Sequence, residues 1–192
     1  MNQIRTFIAV EIPLAIKENI AGLQEKLKRE QALIRWVKPG NIHITLKFLG
    51  NVEENKIADI AKAVTVAVNQ IKPFLVEIAG VGAFPNYRKP KVVWIGAKSD
   101  SDLLKLLVRQ IDNEVHKLGF EKEKRFFQAH LTFGRVKRLT GIAGVIKKLE
   151  QNKNFESGAF TVNEIVVMRS DLKPTGPVYT PLKKIMLKSF NH

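Results

Sequence analysis

Two short stretches carry the side chains best suited to chemistry: NIHITLKFLG (41–50) and AHLTFGR (129–135). Each contains His-x-Thr, and His130 follows His43 by 87 residues in a chain that has only four histidines. Imidazole titrates near neutral pH, so one ring can stand neutral as a base while another stands protonated as an acid. Displacement at a phosphodiester needs such a pair, one group to activate the incoming oxygen and one to protonate the leaving oxygen, on opposite sides of phosphorus. The hydroxyls of Thr45 and Thr132 add donors for the non-bridging phosphate oxygens, whose charge must be held as the transition state forms. Spacing alone does not say which histidine plays which part.

These side chains need strands to present them. In both stretches apolar and polar residues alternate with a period of two, the pattern of a strand with one buried and one open face. His43, Thr45 and Lys47 share the open face of the first, with Ile44, Leu46 and Phe48 behind. His130 and Thr132 share that of the second, with Leu131 and Phe133 behind. On this pattern Lys47 is a charge at the rim, and Phe48 reaches the open face only if a bulge or a strand end intervenes.

Around the motifs the pattern predicts, in order, strand, helix, strand, strand, helix, strand, strand, helix, strand, helix, strand, strand. Ile16, Ile20, Leu23 and Leu27 mark the first helix, and Leu104, Leu107, Val108, Ile111 and Val115 the third. Asp112 and His116, four apart on that third helix, read as a surface pair. Residues 80–91 read as a loop carrying Tyr87, Arg88, Lys89 and Lys91, residues 160–169 as one strand, and residues 170–179 as a rigid loop. The order repeats approximately at half length with one motif per half. The expected fold is therefore α+β and bilobal: two mainly antiparallel sheets with helices on their outer faces, the lobes related by a pseudo-two-fold around a central cleft. No Gly-, Ser- or Pro-rich linker divides the halves, so residues 1–192 are read as one two-lobed domain.

Composition narrows the partner. The 32 Lys and Arg against 18 Asp and Glu leave a net charge of +14, which suits a polyanion. Having no cysteine, the chain can form no disulfide, thiolate nucleophile or cysteine-ligated zinc site. It contains no His-x-His, no His-Glu-x-x-His and no acidic pair beside either motif, so neither metal nor other cofactor is expected. A glycine-rich phosphate loop ending in Lys-Ser/Thr is missing as well, which disfavours nucleotide-driven ligation. No apolar run approaches a membrane span, and the first ten residues alternate like a strand; a cytoplasmic monomer is expected.

RWVKPGNIHITLKFLGNV, RFFQAHLTFGRV and VMRSDLKPTGPVYTPL together resemble the two-histidine phosphoesterase superfamily, in particular its RNA 2′,3′-cyclic phosphodiesterases, historically called 2′-5′ RNA ligases. The resemblance implies a metal-free enzyme that opens RNA 2′,3′-cyclic phosphate ends to 2′-phosphomonoesters; whether those ends belong to tRNA halves or to another pool of RNA is left open. By the same resemblance His43 is the acid for the 3′ leaving oxygen, His130 the base, Arg135 a phosphate ligand and Phe48 an aromatic against the substrate base. Two alternatives stand beside it: a 2′-5′ RNA ligase running by reversal, and a noncatalytic protein that binds RNA ends.

Overall fold

The computed structural model describes residues 2–188. Two antiparallel sheets form the frame. One has the strand order β3-β1-β8-β9, built from β3 (His43–Glu53), β1 (Gln3–Glu11), β8 (Glu164–Lys173) and β9 (Gly176–Met186). The other has the order β2-β6-β5-β4-β7, built from β2 (Ile34–Trp36), β6 (His130–Val136), β5 (Val92–Ser99), β4 (Phe74–Phe84) and β7 (Glu156–Val162). The expected α+β architecture is the one observed.

The four helices back these sheets in an exchanged manner. α1 (Leu14–Lys28) packs toward β7 and α4 (Ile142–Gln151) toward β4, while α2 (Ile57–Val68) and α3 (Leu103–His116) pack on each other, α2 reaching β9 and α3 reaching β3. Each apolar stripe explains its docking. α3 buries Leu104, Leu107, Val108, Ile111 and Val115, and each fully buried aliphatic side chain contributes about 1.5–3 kcal/mol. One cluster of buried apolar residues runs from Ile4 to Leu187 through both sheets and all four helices. Among the described residues no helix is long and apolar enough to cross a membrane.

Three segments differ from the sequence pattern. The 160–169 stretch is not one strand: β7 ends at Val162 and β8 begins at Glu164, in different sheets, so Asn163 is the crossing point between lobes. The 170–179 stretch is not a loop. Lys173 pairs with Gly176, making β8 and β9 a tight hairpin. β9 tolerates Pro177 and Pro181 because it is an edge strand, where a missing N–H leaves no ladder bond unmade. Finally, β4 continues past Gly80 to Phe84, with a register shift between Ala79 and Val81 and Gly80 at φ +72°, so only residues 85–91 form the loop.

Candidate active site

Both motif strands depart from simple alternation at the same place. β3 pairs with β1 so that Ala9 faces Thr45 and Ile8 faces Lys47, leaving Leu46 as an extra residue. β6 pairs with β5 so that Trp94 faces Thr132 and Val93 faces Gly134, leaving Phe133 as an extra residue. Such a bulge reverses the faces of everything beyond it. Lys47 therefore turns inward, 7% exposed, with Nζ 2.6 Å from Asp112 Oδ1 on α3 and donating to the Glu121 carbonyl at 2.6 Å. Phe48 turns outward, 63% exposed, and lies against Phe7. Arg135, which strict alternation would send behind the sheet with Leu131 and Phe133, instead stands exposed on the side of His130 and Thr132. The rim position expected for Lys47 is thus wrong, and so is the surface Asp112–His116 pair: Asp112 serves Lys47, while His116 Nδ1 donates to the Phe120 carbonyl.

The two histidines are held alike. Nδ1 of His43 lies 2.8 Å from the Asn41 carbonyl, and Nδ1 of His130 lies 2.7 Å from the Gln128 carbonyl. A carbonyl can only accept, so in each ring Nδ1 carries a proton and Nε2 is left for chemistry. His43 stacks on Phe7 with ring centroids 4.9 Å apart and makes a T-shaped contact with Tyr179 at 5.2 Å. His130 makes a T-shaped contact with Phe84 at 4.9 Å, and Phe84 stacks on Trp94.

Charge completes the setting. Burial pushes the His43 imidazole down to about 4, the Asn41 carbonyl partly opposes this, and the Lys17 and Arg135 cations add to it. Arg135 thus acts on a histidine of the other sheet. Burial raises the Tyr179 hydroxyl above the ordinary phenol range, against the opposing pull of Arg135, Arg5 and Arg35, so it remains a protonated donor. His43 is therefore neutral near pH 7, in a setting of aromatic rings and cations.

Comparison with known proteins places the chain in a family. A family model described as LigT like phosphoesterase matches the chain twice in tandem, over residues 10–94 and 95–179. The chain belongs to the LigT-like phosphoesterase family. The RNA 2′,3′-cyclic phosphodiesterase of Methanothermobacter thermautotrophicus is 35% identical over 185 residues, spanning 96% of this chain and 100% of its own length. That of Archaeoglobus fulgidus is 38% identical over 180 residues, spanning 93% and 98%. The crystal structure of E. coli LigT complexed with 3′-AMP superimposes with a TM-score of 0.75 at 26% identity, over 98% of this chain and 100% of that one.

Within this LigT-like frame several neighbours of the motifs were not visible as a set in the sequence. Phe7, Phe84 and Tyr179 reach the histidines from strands distant in the chain, and nothing local marks them. The carbonyls of Asn41 and Gln128 do have a local signal, since each lies two residues before its histidine.

Proposed function

We propose that this LigT-like phosphoesterase hydrolyses RNA 2′,3′-cyclic phosphate ends to 2′-phosphomonoesters without a metal. The observation that supports this most directly is the duplicated presentation of the catalytic atoms. Two bulged strands each offer an imidazole whose Nδ1 is tied to the carbonyl two residues earlier and whose Nε2 has no partner among the described residues, with a threonine two residues on. The reading also draws on relatives that carry this activity in their names at up to 38% identity.

In the proposed reaction Nε2 of His130 takes a proton from water while the water oxygen bonds to phosphorus. The P–O3′ bond breaks, and Nε2–H of His43 passes its proton to the departing 3′-oxygen, leaving a 3′-hydroxyl and a 2′-phosphate. Thr45 and Thr132 donate to the non-bridging oxygens, Arg135 pairs with the phosphate, and Phe48 stacks on the terminal base. The acid role requires His43 to gain a proton when substrate arrives. A phosphate anion opposes the burial and the Lys17 and Arg135 cations that hold the ring's pKa down. The same cations oppose a divalent ion beside His43, which favours metal-free catalysis. Both motifs lie in one chain, in keeping with a monomer; the cytoplasm and its RNA ends, including those of tRNA halves, are the proposed setting.

The test is product analysis of a short RNA ending in a 2′,3′-cyclic phosphate, in EDTA, with wild type, His43→Ala and His130→Ala. Conversion to the 2′-phosphate by wild type, reduced about 10²–10⁴-fold in each variant, is expected. RNA bound equally by all three with no conversion by wild type would refute the reading.

A further inference from the structure

The strand pair β2–β6 carries an arrangement that stability alone disfavours. Arg35 and Arg135 are direct register partners across this antiparallel ladder, so their side chains leave the sheet on one face with Cβ atoms about 5 Å apart. Like charges so placed repel each other. Both residues are exposed, and among the described residues neither joins an ion pair. The bulge at Phe133 is what turns Arg135 to that face, so the two guanidinium groups come together through an irregularity and not through plain alternation. Arg35 also extends across the cleft. A Cβ built on Gly176, at the β8–β9 turn, would meet its Nη2 at 3.2 Å. Gly176 has φ +118°, so a side chain there is disfavoured by the backbone as well, which keeps the space beside the guanidinium clear.

A paired set of unanswered guanidinium groups beside a phosphate-handling site is suited to two phosphates, each taken by one planar fork. We infer that Arg35 binds the phosphodiester on the 5′ side of the terminal nucleotide while Arg135 holds the terminal phosphate, so that the site selects polynucleotide ends over single cyclic nucleotides. This rests on the phosphodiesterase reading given above, and it assigns that activity a substrate of at least two linked nucleotides. A nucleoside 2′,3′-cyclic monophosphate has no phosphate to offer Arg35. A phosphate on each guanidinium offsets the mutual repulsion of the pair.

The experiment compares kcat/KM for a trinucleotide ending in a 2′,3′-cyclic phosphate with kcat/KM for adenosine 2′,3′-cyclic monophosphate, using wild type, Arg35→Met and Arg35→Lys. The ratio of trinucleotide to mononucleotide is expected to fall at least ten-fold in Arg35→Met, mainly through KM, and to recover in part in Arg35→Lys. Melting temperature should hold or rise in Arg35→Met, because a repulsion has been removed. Equal losses on both substrates, or no loss on either, would overturn the inference. A second arm measures binding of a trinucleotide 2′-phosphate against salt concentration. Loss of one phosphate contact lowers the slope of log K on log salt by about 0.7, and an unchanged slope would also overturn it. If wild type turned over neither substrate, the phosphodiesterase reading would fail, while the binding arm would still decide whether Arg35 holds a backbone phosphate.

Discussion

An imidazole beside two aromatic rings and near two cations holds no proton to give near neutral pH until an anion joins it, and His43 is in that position. Two outcomes follow at the scale of this residue. In NMR titrations the His43 ring should ionise near pH 4 in the free protein and at clearly higher pH once inorganic phosphate or a 2′-nucleotide is bound; a pKa unmoved by either ligand would remove the acid role. The same shift links to stability. The folded value of about 4 lies below the unfolded 6.5, so between these the unfolded chain binds a proton that the folded chain refuses. The stability contribution is fully present above pH 6.5 and is lost as pH falls through about 4. Linkage makes the loss on the order of 2–3 kcal/mol, the ring being partly exposed. Denaturant titrations should show that loss between pH 6.5 and 4 in wild type and its absence in His43→Gln.

Each motif strand depends on a polar side chain from the helix beneath it, and the two helices are exchanged between the halves. Gln24 of α1 is buried and donates through Nε2 to the carbonyls of Val37 and Phe133, both at 2.8 Å. Phe133 is the bulged residue, and its carbonyl also accepts from the Val37 N–H at 3.0 Å. Asp112 of α3 anchors Lys47 beside the other bulge. Replacing Gln24 with Met keeps the volume and removes both donations, at a cost of about 1–3 kcal/mol in thermal or chemical unfolding. If the bulge is what aims Arg135, Gln24→Met should also lower kcat/KM and cost nothing further on an Arg135→Ala background; full additivity of the two would deny that coupling. Here lies the limit of what the sequence made legible. His43, Thr45, His130 and Thr132 could be placed on one face from alternation, because no extra residue precedes them within their strands. Alternation assigns Phe48 and Lys47 to each other's faces, because an inserted residue at Leu46 leaves no local mark and is anchored through Lys47 to Asp112 of α3, some 60 residues away. Gln24 reads as part of a polar helix face until β6 is known to lie against it. Asn163 likewise carries no sign that β7 and β8 part there into different sheets.

At the scale of the whole molecule the tandem family match suggests two units, yet the strand pairing denies either unit a sheet of its own. β1 from the first half pairs with β8 from the second, β4 pairs with β7, and β2 and β5 both pair with β6. α1 and α3 each back the sheet that holds the other half's motif strand. A break after residue 99 would leave β1 and β3 without β8, and β4 and β5 without β6 and β7, exposing the apolar faces these strands bury together. Fragments 1–99 and 100–192 should therefore each fail to unfold cooperatively, whereas the intact chain should show one calorimetric transition whose enthalpy equals its van't Hoff value. A fragment that melts as a unit, or two transitions in the intact chain, would show that the halves are independent. The distinction bears on catalysis. An acid and a base acting on opposite sides of one phosphorus must keep a fixed separation, and a chain whose halves fold only through each other fixes that separation in the act of folding.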